Sequence, residues 1–322
     1  MTNGTRDDVV VVGGGVVGLT TAVVLAESGR RVRVWTRDPV ERTTSAVAGA
    51  LWWPYRVEPL RAARGWALRS LDVYEELARR PEVTGVRLVE GVMGGTGLDE
   101  TRAWAAGRLR GLRVATPEEY AGPAGLWARL PLIDMPAHLA WLLRRLAAAG
   151  GVVQQRAVAA LAEADAPVVV NCAGLGSREL VPDPSVRPVR GQLVVVENPG
   201  IRTWVVSEDA RGGLAYVLPH PDRLVLGGTS EEDAWSPVPD PAVAEAIVRR
   251  CAALRPEIAG ARVLDHRVGL RPARHAVRLE RDVLPDGRVL VHNYGHGGGG
   301  VTVAWGCAWE AAGLTGAVGF PG

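Results

Sequence analysis

Three stretches of this 322-residue chain carry residue types at spacings that chemistry can use. In residues 8–27, DVVVVGGGVVGLTTAVVLAE, Gly13, Gly15 and Gly18 fill the three places of G-x-G-x-x-G. Without side chains there, the backbone can turn tightly, approach a pyrophosphate and let the next helix pack closely on the strand. The first N–H groups of that helix are then free for phosphate. A strand-turn-helix without ligand is the plainer reading; a membrane span is opposed by the glycine cluster and by Thr20, Thr21 and Glu27. In residues 41–55, ERTTSAVAGALWWPY, Thr43, Thr44 and Ser45 set three hydroxyls in a row, followed by small residues. That composition suits a phosphate-lined loop passing close to a flat ring, although an N-capped ordinary helix competes with it. In residues 286–308, DGRVLVHNYGHGGGGVTVAWGCA, the pattern predicts a strand at 289–291, an eight-residue loop at 293–300 with five glycines, and a helix over 301–313.

This last loop also feeds a helix N-terminus, whose dipole is worth about 0.3–1 kcal/mol to an adjacent negative charge. A nicotinamide cofactor needs one such loop; a second at the far end of the chain is expected where a reduced flavin carries negative charge.

The elements that must position these stretches follow from periodicity. Val9 to Val12 read as a buried strand, residues 28–30 close the first helix, and 31–35 alternate as a second strand. The acid for an adenosine ribose, normally about 20 residues after the glycines, is displaced: Arg37 precedes Asp38, and Arg37 keeps an NADP-dependent reductase as a minor alternative. Helices are expected over 60–80, 136–150 and 241–254. Strands of the first domain resume at 152–158 and 167–171, and strands at 188–196, 204–207, 215–218 and 224–228 have hairpin spacing. The fold class is therefore α/β: a Rossmann-like cofactor domain (1–55, 136–182, 262–322) interleaved with an α+β substrate domain built on an antiparallel sheet (56–135, 183–261).

With 47% hydrophobic and 22% charged residues, the chain is of ordinary globular composition, and its net charge of +2 points to no nucleic-acid partner. Every basic residue besides histidine is arginine, which reflects codon usage rather than function. Cys172, Cys251 and Cys307 show neither metal-ligand nor disulfide spacing, so no metal is expected. Neither end carries a signal-peptide, peroxisomal or lipidation pattern, and the expected compartment is a bacterial cytoplasm, without membrane attachment.

In order along the chain, VVVVGGGVVGL, RTTSAVAGALWWPY, VVVNCAG, GLRPARHAVRLER and HNYGHGGGGVTVAWGCA together resemble the D-amino acid oxidase family of FAD-dependent enzymes, whose neighbours include D-aspartate oxidase and glycine oxidase. The resemblance spans about residues 9–313. It implies hydride removal from the α-carbon of a D-amino acid to flavin, reoxidation by oxygen to hydrogen peroxide, and hydrolysis of the imino acid to a 2-oxo acid and ammonia. It implies FAD contacts at Gly13, Gly14, Gly15, Val16, Val17 and Gly18, at Arg37 and Asp38, and at Thr43, Thr44, Ser45, Gly49 and Ala50. Further along, it implies contacts at Val158, Gly174, Gly297, Gly298, Gly300, Val301 and Thr302. For the substrate it implies Arg278 on the carboxylate, Tyr216 assisting it, and the Gly298 carbonyl on the amine.

A guanidinium suits this task because its planar fork makes two charge-assisted bonds to a carboxylate. Hydride transfer from a neutral amine needs orientation rather than a protein base, so no general base is assigned, and His296 reads as a structural hydrogen-bonder. Trp53 stands where relatives carry glutamine, Gly49-Ala50 reverses the usual order, and the segment between Arg211 and Tyr216 is short, implying an open entrance. Leu51, Trp53 and Leu218 would form an apolar pocket for neutral or hydrophobic D-amino acids; Arg211 or His220 would instead suit D-aspartate. Oxidation of glycine or sarcosine and a non-catalytic flavin-binding role are also compatible with these residues, as is a homodimer.

Overall fold

The computed structural model describes residues 8–54, 56–208 and 213–316; Arg211 lies outside them. One hydrogen-bonded sheet runs through the described residues, and it changes character along its width. At one end, Val152–Gln155, Arg31–Thr36, Asp8–Val12, Val168–Asn171 and Val289–His296 pair side by side, all parallel. Val9, Val10 and Val11 are wholly buried, as expected of a parallel strand covered on both faces. Helices Val16–Glu27, Met135–Ala148 and Gly300–Leu314 belong to this half. None of the described helices is long and apolar enough to cross a membrane.

The other half is mostly antiparallel. Arg187–Glu197, Arg223–Gly227, Leu214–Pro219 and Trp204–Glu208 follow one another in hairpin fashion, and Val86–Gly94 and Gly125–Ile133 extend them. Side chains alternate between faces, as the period of two demands. Val194, Val196, Ala215, Val217, Leu224 and Leu226 pack on Ala244, Ile247 and Cys251 of helix Pro241–Leu254. Leu193, Val195, Leu218 and Val225 face the main core instead. That second face becomes the wall of the site.

One strand joins the halves. Val263–Val283 pairs with Arg187–Glu197 through its first part, then with Val289–His296 through 278–283, with a register shift between Ala273 and Arg278. Placed by sequence wholly in the cofactor domain, it is hydrogen-bonded to strands of both halves.

One expectation is corrected. The predicted eight-residue glycine loop at 293–300 is mostly strand: Val289–His296 continues through Asn293 and Tyr294, and the loop is a single 3-10 turn, Gly297–Gly299. The strand persists because Asn293 and Tyr294 are buried and tied down, Asn293 Nδ2 donating to Thr21 Oγ1 (3.1 Å) and the Tyr294 hydroxyl to Asp183 Oδ2 (2.8 Å). Helix Leu98–Ala105 and strand Gly125–Ile133, which periodicity did not resolve, also form.

Candidate active site

The first glycine loop is built as its spacing requires. Gly13 adopts φ +121°, where a side chain would meet the Cys172 carbonyl, and a Cβ on Gly18 would overlap Gly13 O. Gly14 lies against Thr36, and Gly300, at the start of the last helix, against Val17. The hydroxyl row divides. Ser45 alone reaches the loop, accepting from Val16 N–H at 2.9 Å, while Thr43 Oγ1 donates to Val40 O (2.7 Å) and Thr44 Oγ1 to Leu270 O (3.1 Å). In place of the competing N-capped helix there is only one short turn, Thr44–Val47, with no side-chain cap. Arg37 and Asp38 pair with each other at 2.9 Å on the surface at the end of the second strand.

A dinucleotide fits this cradle. Its floor is backbone that any Cβ would obstruct, and Ser45 Oγ occupies one of the helix N–H groups that phosphate oxygens would otherwise engage. Gly298 is exposed at the tip of the Gly297–Gly299 turn, and Gly174 (φ +58°) abuts Pro272. Thr302 is committed to the loop before it: its hydroxyl donates to Trp53 O (2.9 Å) and accepts from Trp53 N–H (3.3 Å). Val301 O accepts from the Tyr74 hydroxyl at 2.8 Å. These bonds fix Trp53 and helix Leu60–Leu77 against the last helix. Val158 packs with the core that holds Val12 and Trp35. Ala50 adopts φ +56° while its carbonyl accepts from Ile133 N–H (3.1 Å).

The substrate wall is the sheet face opposite helix Pro241–Leu254. Tyr216 and Leu218 project from it toward Gly49, where a Cβ would stand 2.8 Å from Leu218 Cδ1 and 3.4 Å from the Tyr216 ring. Leu51 forms a bridge to Leu132, and the Trp53 ring meets Trp104 edge-on at 5.6 Å. Beneath Tyr216 the wall is bare. Gly227, paired with it in register, leaves room for its ring, and Gly191 leaves room for a guanidinium.

That guanidinium belongs to Arg271. It donates from Nη1 to Thr229 O at 3.0 Å and lies close enough to Tyr216 for its charge to act on the hydroxyl. Burial raises the Tyr216 pKa, and Arg271 opposes the rise. The expected Arg278–Tyr216 pairing does not form. Arg278 Nε donates to Glu280 (2.6 Å) and Nη1 to the Tyr294 hydroxyl (3.0 Å), whose own proton goes to Asp183. Asp183 also accepts from Arg274 Nε at 2.9 Å. Although burial pushes its pKa up, hydrogen bonds from Ser185, Tyr294 and Arg274 hold it well below the usual range.

The register shift after Ala273 explains the difference: Arg271 lies before it, against the antiparallel sheet, and Arg278 after it, beside the parallel one. A signal for Arg271 was present, since it is two residues from Gly269 and so shares a strand face with the glycines. His220 is likewise withdrawn, buried beside Asp134 (3.8 Å) and Arg223. His296 is buried with Nε2 unpartnered among the described residues.

Comparisons with known proteins agree with this architecture. The family model "FAD dependent oxidoreductase" matches residues 8–314. The chain is 76% identical over 308 residues to the D-amino-acid oxidase of Streptomyces coelicolor, covering 95% of this chain and 96% of that one. It is 36% identical to human D-aspartate oxidase, covering 95% and 94%. Among solved structures, glycine oxidase from Geobacillus kaustophilus shares the fold, with a TM-score of 0.79 at 22% identity over 97% of this chain and 95% of that one. A glycine cradle at a helix N-terminus, a second glycine turn before the last helix and relatives along nearly the whole length lead to one conclusion: the chain belongs to the FAD-dependent oxidoreductase family, and FAD is its cofactor.

Proposed function

We propose that this oxidoreductase oxidatively deaminates neutral or hydrophobic D-amino acids, with oxygen as electron acceptor and 2-oxo acid, ammonia and hydrogen peroxide as products. The observation that carries the reading is the Arg271–Tyr216 pair on a glycine-floored sheet face, together with high identity to a D-amino-acid oxidase. Arg271 takes the substrate carboxylate through two charge-assisted bonds, replacing Arg278 in that role. The Tyr216 hydroxyl donates a further bond to the same carboxylate, and the Gly298 carbonyl accepts from the amine. Leu218 and Leu51 provide apolar surface for the side chain, which favours neutral over acidic substrates.

FAD, held by the Gly13–Gly18 loop, Ser45 and the turn before Gly300, supplies the hydride-accepting chemistry. The protein contributes orientation. Contacts on the carboxylate and the amine, with the apolar surface of Leu218 and Leu51 on the side chain, would place three substituents of the α-carbon, so that only one enantiomer would present its hydrogen to the bound cofactor. No side chain is required as a base, because a neutral amine loses hydride without prior proton abstraction at carbon.

The test is anaerobic addition of D-alanine and of L-alanine to the purified yellow protein. Bleaching of the flavin band by the D form alone is expected. Bleaching only by glycine, sarcosine or D-aspartate would replace the substrate class, and bleaching by none of them would overturn the catalytic reading.

A further inference from the structure

We propose that Arg250 is a positioning residue for substrate binding: from the far face of the sheet it fixes the glycine floor under the Tyr216 ring, and with it the place of the Tyr216 hydroxyl. The inference rests on the role given above to Tyr216, as a donor to the substrate carboxylate. The ring lies over Gly227 and Gly228. A Cβ on Gly227 would overlap it, and one on Gly228 would stand 2.9 Å from its Cε1. Two glycines in succession give this floor more backbone freedom than other residues would, so something else must hold it in place.

The floor also lies at the end of its ladder. Strand Leu214–Pro219 pairs with Arg223–Gly227 only as far as Tyr216 opposite Gly227, and beyond that pair Gly228 N–H donates to Leu214 O at 3.2 Å. Arg250 takes up the two carbonyls at this point. Its Nε donates to Leu214 O (3.3 Å) and its Nη2 to Gly228 O (3.1 Å). One planar guanidinium thus spans both strands where the ladder between them ends, with two charge-assisted bonds in fixed geometry.

Helix Pro241–Leu254 brings the arginine there. Ala244, Ile247 and Cys251 recur at helical spacing and pack on the sheet, which sets the neighbouring Arg250 at the rim of that contact. The Cys251 thiol lies 3.4 Å from Tyr216 O and 3.6 Å from Gly227 O, but a thiol is a weak donor with a single proton. Arg250 therefore carries the hold. Beyond the floor, Arg271 Nη1 donates to Thr229 O and Gln192 N–H to Thr229 Oγ1 (2.9 Å), so the segment is tied down on both sides of the ring.

Propionate, the carboxylate of D-alanine without its amine, is titrated into the holoenzyme, and its Kd is read from the visible flavin band. Tyr216→Phe is expected to raise that Kd by about tenfold, one lost hydrogen bond, and Arg250→Met, which keeps the packing stem, by about fivefold. In the Tyr216→Phe background Arg250→Met should add less than about twofold, because the hydroxyl it places is gone. Arg250→Lys should recover most of the wild-type affinity, and Arg250→Gln takes the place of Arg250→Met should the latter not hold flavin. Equal factors in both backgrounds, or a Kd unchanged by loss of Arg250, overturn the inference while the role of Tyr216 stands. A Tyr216→Phe Kd equal to that of wild type overturns that role and the inference with it.

Discussion

The Arg271 guanidinium lies over the bare backbone of Gly191, in space that a single methyl group would fill. The pair sits on neighbouring strands of one sheet face, beside Tyr216, and it is this glycine that lets an arginine lie flat against the wall instead of standing out from it.

Gly191→Ala is expected to displace the guanidinium rather than unfold the chain, since the obstructed group is the end of a flexible side chain. Substrate KM should rise by about tenfold, roughly one lost charge-assisted bond, with Tm nearly unchanged. Steady-state kinetics beside a thermal melt checks it; an unchanged KM would mean that Arg271 does not hold substrate.

Arg271→Ala should cost about 2–5 kcal/mol in kcat/KM, roughly 30-fold to several thousand-fold, with FAD retained. Arg278→Ala should leave kcat/KM within about threefold and instead lower stability by about 1–3 kcal/mol, because it strips a partner from the half-buried Tyr294 hydroxyl. Comparing the two variants for activity and melting temperature decides between the arginines. A larger catalytic loss in Arg278→Ala would return the carboxylate to that residue.

Gly18→Ala is a harsher change, because its Cβ would overlap the backbone oxygen of Gly13, which has no freedom to move aside. The variant should purify colourless or lose flavin on gel filtration, read from the ratio of visible to protein absorbance. A fully yellow variant would remove the loop from the cofactor site.

Stability should decline as pH falls from about 6.5 toward 4. Burial of His138 lowers its pKa to about 4, outweighing the hydrogen bond to Thr84 O, with Arg145 lowering it further. The unfolded chain therefore binds the proton first, so stability is complete above the unfolded pKa and is lost as pH approaches the folded one. His138 alone contributes up to about 3 kcal/mol over that window. Melting temperature against pH should slope upward between 4 and 6.5, less steeply in His138→Gln; equal slopes would exclude His138 as a source.

Much of the fold was legible because local patterns coincide with it. Val9 to Val12, the first glycine loop and helix Pro241–Leu254 all form where periodicity and glycine spacing put them. Strand Gly125–Ile133 was obscured because Pro131 and a glycine-rich approach broke its pattern, while its pairing with Val86–Gly94 sustains it.

The place of the cofactor cradle was legible in local spacing, because G-x-G-x-x-G shapes the turn between one strand and the next helix, whereas its packing on Cys172, Thr36 and Ser45 came from the fold. The stretch 262–281 also offers several arginines whose guanidinium suits a carboxylate. Which of them lies beside Tyr216 follows from the fold alone. The register shift between Ala273 and Arg278 assigns the two ends of one strand to different neighbours, and only the earlier end faces Tyr216 and the glycines of Arg187–Glu197 and Arg223–Gly227. Local spacing cannot state on which side of a bulge a residue falls, because the bulge is set by which strands compete for its hydrogen bonds.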